Sequence, residues 1–249
     1  MIKALIKRRY WLWRSRLVLT LSTTFLLPIM ISILVILPLK NIILYSLSEV
    51  PYEIWVYPGF IFLISSLALF PSIYRDFFDL RIHRKLLINV VLTPYSKSTI
   101  ISSYLICAVI EALFFGIISA IVYFLFIEVN FLILDHLVLF FFLSLHLLLL
   151  GNLFFSLCLF INSISVIWIT ILLLFIFILF GNGFIVQLEF FPPILETILK
   201  NQPFSLSFQA MQRFLNIETI NWIYIIIISI LIYIWILTNG YILKKKFQQ

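Results

Sequence analysis

Six long apolar stretches alternate with short polar segments along the chain. They cover residues 17–39, 54–74, 99–126, 136–160, 164–180 and 221–243. A helix needs about 20 apolar residues to cross the hydrocarbon core of a bilayer, and each stretch has close to that length or more. The pattern therefore predicts an all-α polytopic membrane protein in contact with the lipid bilayer, with six transmembrane helices in one domain over residues 1–249.

Most of the basic residues lie between these stretches, in three clusters. The clusters hold 14 of the 17 Lys and Arg residues: Lys3, Lys7, Arg8, Arg9, Arg14 and Arg16, then Arg75, Arg81, Arg84, Lys85 and Lys97, and finally Lys244, Lys245 and Lys246. Basic loops stay in the cytoplasm, and six crossings place all three clusters on one side. We therefore expect both termini to be cytoplasmic. Seven of the 10 acidic residues fall on the predicted outer segments, in agreement with this topology: Glu49, Glu53, Glu128, Asp135, Glu189, Glu196 and Glu218.

Residues 1–16 precede the first apolar stretch and are too basic to cross a membrane. Ile2, Ile6, Tyr10 and Trp13 recur at helical spacing, with basic residues between them. This pattern is typical of an amphipathic helix that lies in the membrane interface, and tryptophan favours the headgroup layer. A disordered basic tail is the alternative.

The longest predicted outer segment, residues 181–220, is too broken to cross the membrane and too apolar to be a free loop. Glycine and proline interrupt it at Gly181, Gly183, Pro192, Pro193 and Pro203. Irregular backbone at membrane depth is tolerated where protein shields it. We therefore expect short re-entrant or interfacial helices that dip in from outside.

The composition supports lipid as the solvent of this chain. Hydrophobic residues make up 64% of it and charged residues 11%, against about 45–50% and about 25% in a soluble domain. The net charge of +7 comes from the three basic clusters, so we expect no nucleic-acid partner. Cys107 and Cys158 both lie in apolar stretches, and a disulfide or metal framework is not expected.

Sequence motifs of catalysis and nucleotide binding are missing. The chain has no glycine-rich loop followed by Lys and Ser or Thr, so we expect no nucleotide site of its own. No histidine or carboxylate motif has the spacing of a metal site, and no Gly-x-Ser-x-Gly elbow is present. We therefore expect a non-catalytic subunit without a metal or cofactor of its own.

Glu111 is the one acidic residue deep inside an apolar stretch. Because a charge in the bilayer is costly, its side chain should face protein or a wet cavity. His146 lies at a similar depth on the next, antiparallel helix, so the two side chains are expected to meet if their helix faces match. They indicate either part of a translocation path or subunit contact, or a structural polar pair between packed helices.

The polar segment between the second and third apolar stretches, residues 75–98, mixes leucine and valine with charges at helical spacing. That mixture predicts a short surface helix presenting a mixed face to a soluble protein. The helix should end at Thr93-Pro94, because a residue before proline avoids the helical conformation. Ser96 or Ser98 is expected to cap the following helix. A solvated basic loop that only sets orientation is the alternative.

Three groups of residues resemble a known family in their order and placement. They are Pro58-Gly59-Phe60 at the second apolar stretch, then Arg75-Asp76, Leu86-Leu87 and Thr93-Pro94-Tyr95-Ser96 in the basic loop, and finally Pro192-Pro193, Asn201-Gln202-Pro203-Phe204 and residues 209–213 in the outer segment. With the six predicted spans, the chain resembles the permease subunit of ABC-2 type exporters, which carry polysaccharides, lipids, drugs and other hydrophobic compounds out of cells. It departs from the family where Gln202 interrupts the usual Asn-Pro, and where Phe77 and Phe78 replace the glycine that normally follows the loop acid.

The resemblance implies an ATP-driven exporter in the bacterial plasma membrane. Two permease subunits, of like or unlike chains, would pair above two cytoplasmic ABC ATPase subunits, which bind the ATP and push on residues 76–94. The implied coupling residues are Arg75, Asp76, Phe77, Phe78, Leu80, Arg81, Arg84, Leu86, Thr93 and Pro94. Of these, Arg81 and Arg84, with Lys85, are expected to pair with acidic groups of the ATPase. Surface ion pairs contribute only about 0–1 kcal/mol, so Phe77, Phe78, Leu80 and Leu86 are expected to supply most of the affinity. The implied outer gate consists of Phe184, Phe190, Phe191, Pro192 and Pro203.

Three other functions stay open at this point. A secondary transporter or channel would use Glu111 as its ion or proton site. A membrane-embedded lipid-modifying enzyme would need clustered polar groups at the interface, and a non-transporting assembly factor would need neither. A neighbouring reading frame that encodes a soluble ATPase would favour the exporter over all three.

Overall fold

The computed structural model describes residues 1–46, 50–127, 131–217, 219 and 222–247. Three acidic residues that entered the predicted topology, Glu49, Glu128 and Glu218, lie outside the described residues. Within the described ranges the chain is helical and contains no β-strand. An isolated antiparallel bridge joins Tyr45 and Pro51.

The helices of the described ranges are numbered here in chain order. They are α1 (Ile2–Ser15), α2 (Leu17–Ile42), α3 (Tyr52–Ile82), α4 (Leu87–Val91), α5 (Lys97–Phe126), α6 (Ile133–Phe160), α7 (Ile164–Gly181), α8 (Pro193–Asn201), α9 (Pro203–Ile217) and α10 (Trp222–Phe247). Wider π-helical turns interrupt α2 at Ser32–Ile36 and α3 at Tyr74–Phe78. The second of these follows Pro71, which cannot donate a backbone hydrogen bond.

Six of these helices are long and apolar enough to cross a membrane: α2, α3, α5, α6, α7 and α10. They coincide with the six predicted apolar stretches, so the prediction of a helical, multi-pass membrane protein is confirmed. Most ends agree to within a few residues. The largest difference is at α3, which continues to Ile82 instead of ending near residue 74.

Helix α3 forms the centre of the molecule. In its most apolar 18-residue stretch 83% of the residues are buried, against 22% in α2, α7 and α10. Its closest neighbour is α5, and both helices also pack against α6. Gly116 of α5 permits the close approach, because a Cβ there would collide with Ser65 Oγ and press on Leu143. The apolar outer faces of α2, α7 and α10 therefore need lipid or another protein against them.

Polar side chains fasten α10 to α6 inside the bundle. Asn239 Nδ2 donates to the backbone carbonyl of Asn152 at 3.0 Å, and Ser156 Oγ donates to Asn239 Oδ1 at 2.7 Å. Trp235 Nε1 donates to the same Ser156 hydroxyl at 2.9 Å. Interhelical hydrogen bonds of this kind fix helix register in an apolar solvent.

Contacts at the helix ends define two faces of the bundle. At one end, Arg81 of α3 donates to the carbonyls of Leu159 and Ile161 at the end of α6, and Lys246 donates to the carbonyl of Leu159. Arg9 of α1 contacts Asp76 at the same end of α3. All three basic clusters thus meet on one side, which we call the basic face. The other side, where Tyr123 donates to the carbonyl of Glu53 at 2.6 Å, is the opposite face.

The segment after α7 folds back toward the bundle centre as two helices, α8 and α9. At the junction between them, the carbonyl of Phe204 accepts a hydrogen bond from His146 Nδ1 at 3.1 Å. His146 lies 13 residues after the first residue of α6, or about 20 Å along that helix. The start of α9 is therefore deep within the bundle.

Candidate functional site

A buried group of charges joins α1 to α3 and α5 near the basic face. Arg9 forms ion pairs with both Asp76 and Glu111, and only 9%, 6% and 11% of these three side chains is exposed. Burial lowers the pKa of Arg9 to about 10, so the guanidinium stays charged at neutral pH. Buried charges are tolerated only when they are paired, and this helix–helix contact supplies the pairing. We call Arg9, Arg75, Asp76 and Glu111 the charge cluster.

Neutral donors complete the shell around the carboxylate of Glu111. Trp13 Nε1 donates to its Oε1 at 2.9 Å and Ser72 Oγ donates to its Oε2 at 2.6 Å. Arg75 lies 3.4 Å from the same Oε2 and 3.4 Å from Asp76. Both carboxylate oxygens thus accept hydrogen bonds, so the buried carboxylate is fully surrounded by donors of this protein.

The charge cluster corrects the expected pairing of Glu111 with His146. Glu111 contacts Ser72 of α3, whereas His146 lies 3.2 Å from Ser66 of the same helix. These serines are six positions apart, about 9 Å along the helix, so Glu111 and His146 lie at different depths. Sequence reasoning overlooked Arg9 and Trp13 as the partners of Glu111. Their spacing of four residues, which places both on one face of α1, was the available signal.

His146 is completely buried and holds α9 against the bundle. Because a carbonyl can only accept, Nδ1 carries the hydrogen that reaches Phe204, and Nε2 faces the hydroxyl of Ser66. Its ring also packs near Phe62 and Phe184, with ring centroids 5.4 and 5.5 Å away. In this structure His146 therefore links α3, α6 and α9 by polar contacts.

Replacing His146 by phenylalanine keeps the ring but removes both of its hydrogen bonds. We expect this to destabilise the protein by about 1–3 kcal/mol, the cost of leaving buried polar groups unsatisfied. Thermal unfolding in detergent, followed by size-exclusion chromatography, measures the effect. His136→Phe is the matched control, because His136 is only partly buried and should change the unfolding temperature less. Equal unfolding temperatures for His146→Phe and the unchanged protein would contradict this role.

Several predicted coupling residues lie inside the protein's own core. Phe77 and Phe78 are completely buried, and Phe77 packs edge-on against Phe155 at 4.9 Å. Leu80 is also buried. These side chains therefore cannot supply contacts to a soluble partner, which corrects the expectation placed on them. The physical reason is that α3 continues through residues 74–82 instead of ending before them.

The charged residues of this region are also engaged within the chain. Arg75 and Asp76 belong to the charge cluster. Arg81 is buried and donates to two carbonyls at the C-terminal end of α6, where a cation is favoured by the helix dipole. Arg81 is thus a helix-capping group and is not available to an ATPase. Arg84 pairs with Asp79 at 2.8 Å, but 60% of its side chain remains exposed.

Beyond Ile82 the chain presents an exposed apolar surface. Helix α4 is anchored by Leu87 and Val91, which are buried. Four side chains around it point outward, with exposed fractions of 47% to 77%: Leu86, Ile88, Leu92 and Tyr95. We call these four residues the loop tip.

Polar contacts fix the return of the chain into α5. Thr93 Oγ1 donates to the carbonyl of Val90 at 2.7 Å, and Pro94 follows exposed at the turn. Ser96 Oγ then accepts from the backbone N–H of Thr99 at 3.1 Å. The predicted cap of this helix is therefore confirmed at Ser96. The end of the loop tip that leads into α5 is thus held in place.

The residues predicted as an outer gate are divided between the core and the surface. Phe184 is completely buried between Phe62 and Phe208, so it lies behind the opposite face and lines no mouth there. Phe190 is exposed and Phe191 is partly buried next to Pro192. Pro203 begins α9 at the deep junction. For the residues other than Phe184, the gate stays a prediction.

No group of three or more His, Cys, Asp or Glu in the described ranges has the arrangement of a metal site. Compared with protein-family models, with curated proteins and with solved structures, the chain matches none of them. The functional argument therefore depends on the geometry of the charge cluster, the loop tip and the opposite face.

Proposed function

We propose that this chain is the permease subunit of an ATP-driven exporter and that the loop tip receives a soluble ATPase. The observation that carries this proposal is the exposed apolar surface of Leu86, Ile88, Leu92 and Tyr95 on a basic loop. An exposed apolar patch with a polar rim is typical of a protein-interaction site. The resemblance of the surrounding residues to ABC-2 permeases suggests the class of partner.

The position of the loop tip favours a soluble partner over lipid. Asp76 belongs to the charge cluster, and Ile82 lies six residues further along α3, about 9 Å on a helix axis. Charged side chains are expelled from the hydrocarbon core, so the core should end near the charge cluster. The loop tip would then stand beyond the membrane in water, where its apolar side chains gain from contact with protein.

The rigid connection of the loop tip suits force transmission. Helix α3 stays helical from Tyr52 on the opposite face to Ile82 on the basic face, with the π-helical turn at Tyr74–Phe78 as its one irregularity. The buried side chains of Leu87 and Val91 attach α4 to the rest of the protein. A push on the loop tip would therefore displace α3 as a body, which is the kind of movement that alternating access requires.

The remaining features of the proposal concern membrane placement. The basic face would be cytoplasmic, as the positive-inside rule requires, in the plasma membrane. Helix α1 exposes Ile6, Tyr10 and Trp11 and would lie in the interface. Helices α8 and α9 would form the re-entrant element, since their junction reaches His146. A second permease subunit, identical or related, would cover part of the apolar faces of α2, α7 or α10.

The geometry of Glu111 favours the exporter over an ion-coupled transporter. Its carboxylate is paired with Arg9 and Arg75 and accepts from Trp13 and Ser72. These partners are all side chains of the same chain, an arrangement that is typical of a structural ion pair between helices and leaves the carboxylate engaged within the protein. The chain has no nucleotide-binding motif, and ATP would be bound by the partner.

The test is co-purification from host membranes with a tag on this chain. The unchanged protein should bring down a soluble ATPase with a phosphate-binding loop, identified by mass spectrometry. Leu92→Asp and Leu86→Asp place a charge in the proposed contact and should lower recovery of the ATPase at least about tenfold, as expected for a central contact worth more than about 1.4 kcal/mol. Both side chains are exposed, so membrane insertion should not change.

Asn89→Asp is the matched control. It adds the same charge to the same helix at an exposed position without removing apolar surface, and recovery should stay close to that of the unchanged protein. Undiminished recovery of the ATPase with both leucine variants would exclude the loop tip as the docking site. Absence of any ATPase from the unchanged complex would contradict the proposed function itself.

A further inference from the structure

The opposite face contains a cavity that the proposed coupling does not use. Its volume is about 380 Å³, and it lies between the start of α3, the segment after α7, and α8 and α9. Its lining is rich in side chains with N–H groups: Asn182, Gln187, Lys200, Gln209, Gln212 and Arg213. Trp55 and Leu188 supply apolar surface, and Glu189, which is paired with Lys200, is the acidic side chain among the lining residues. The cavity is at the far end of α3 from the loop tip.

Two amide donors of this lining have no acceptor in the described part of the chain. Asn182 is completely buried and its Oδ1 accepts from Gln202 at 2.9 Å, but its Nδ2 is unpartnered. Nε2 of Gln212 is buried and unpartnered as well. Buried donors without an acceptor are rare and costly. A bound group with several acceptor oxygens would satisfy both.

Among the charged side chains of the lining, Arg213 has no anionic partner in the part of the chain that the structure describes. Lys200 lies 2.7 Å from both Glu189 and Glu196, and these hydrogen bonds raise the pKa of Lys200, so its charge is already compensated. Arg213 is exposed, and within the described ranges its guanidinium makes a cation–π contact over Tyr224 at 5.2 Å but no ion pair. A guanidinium beside free amide N–H groups matches the oxygens of a phosphate.

A second, apolar cavity of about 130 Å³ adjoins the first and shares Trp55 and Gln212 with it. Its remaining lining is mostly apolar, with Ile54, Pro58 and Leu215 among the contributors. A polar cavity with free donors thus continues into an apolar one. That combination matches a molecule with a polar head and an apolar tail.

We propose that these joined cavities bind the phosphate head of an anionic amphiphile, with Asn182, Gln212 and Arg213 contacting its oxygens. The apolar cavity receives the part of the molecule next to the head. This site depends only on the geometry of the opposite face. Its test is therefore independent of the ATPase recovery that tests the proposed function.

Isothermal titration calorimetry on the purified protein in a maltoside detergent, which carries no phosphate, measures the binding. The probes are dihexanoyl phosphatidylglycerol, dihexanoyl glycerol and inorganic phosphate. We expect phosphatidylglycerol to bind most tightly. The phosphate-free diglyceride and the free phosphate should each bind at least about tenfold more weakly, because each satisfies only one of the two cavities.

Arg213→Gln removes the guanidinium at an exposed position and should weaken phosphatidylglycerol binding at least about tenfold. Gln212→Glu places a negative charge beside the phosphate and should weaken it further. Arg84→Gln, on the basic face, is the control and should leave binding unchanged. Thermal unfolding without lipid checks that each variant is folded. If Gln212→Glu does not accumulate as folded protein, the phosphatidylglycerol binding of Arg213→Gln alone tests the proposal.

Three results would overturn this proposal. The first is phosphatidylglycerol binding that is equal in Arg213→Gln and the unchanged protein. The second is a diglyceride that binds as tightly as phosphatidylglycerol, since the head would then contribute nothing. The third is inorganic phosphate that binds as tightly as the lipid, since the apolar cavity would then play no part.

Discussion

Replacing Arg9 by methionine is expected to destabilise the protein by about 3–5 kcal/mol, the effect of removing one partner from a buried ion pair. The structure gives Arg9 the central position between Asp76 and Glu111, and all three side chains are close to fully buried. Methionine fills similar volume but leaves both carboxylates facing an apolar group. Arg75 alone would then have to compensate Glu111 from 3.4 Å. Thermal unfolding in detergent and the amount of folded protein in the membrane measure the loss.

Arg8→Met is the matched control for this experiment. Arg8 lies 3.7 Å from Asp76, but 40% of its side chain is exposed, and an exposed ion pair contributes only about 0–1 kcal/mol. The combined variant Arg9→Met with Glu111→Gln removes the uncompensated carboxylate and should recover part of the lost stability. If Arg9→Met and Arg8→Met unfold at the same temperature, the charge cluster does not stabilise the contact between α1 and the bundle.

Gly59→Ala is the second substitution with a large expected effect. A Cβ at this position would lie 2.7 Å from the carbonyl carbon and 2.9 Å from the Cα of Phe184. Backbone atoms in a packed core cannot move aside as a flexible side chain can. We expect destabilisation of about 3 kcal/mol, at the upper end of the range for overpacking, with the change detected by thermal unfolding in detergent.

Gly181→Ala is the corresponding control. A Cβ there meets only the side chains of Phe177 and Leu199, at 3.3 Å and beyond, which can adjust by a few tenths of an ångström. We expect a change of less than about 1 kcal/mol, since alanine also favours the helical conformation. Unaltered stability in Gly59→Ala would show that α3 and the segment after α7 are further apart than the structure places them.

The membrane-spanning helices could be predicted from the sequence because each apolar stretch is long and its flanks are charged. The position at which α3 ends could not be predicted in this way. Arg75, Asp76 and Arg81 read as the start of a solvated loop, yet each finds its partner inside the protein, in the charge cluster or at the end of α6. Charged residues mark the end of a membrane-spanning helix only when their side chains remain in water. A single sequence does not reveal whether such side chains find partners inside the protein.

The candidate sites were predictable to different degrees. Glu111 stood out because one acid in an apolar stretch is costly, but its partner Arg9 is 102 positions away in the sequence. The unpartnered amide nitrogen of Asn182 could not be predicted from the sequence, because asparagine is common after a helix. Only the fold shows which of its atoms lack partners in the described ranges. The loop tip was found as a segment. Which of its side chains are exposed depended on where α3 ends.

The contact between Trp13 and Glu111 sets an order for assembly during synthesis. Helix α1 leaves the ribosome long before residue 111 has been made. Arg9 and Trp13 therefore remain in water or at the lipid surface until α5 has been inserted. Docking of the amino-terminal helix is therefore a late step in biogenesis. A nascent chain that stops before α5 should leave this helix accessible to proteases added on the side of the basic face, whereas the finished protein should protect it.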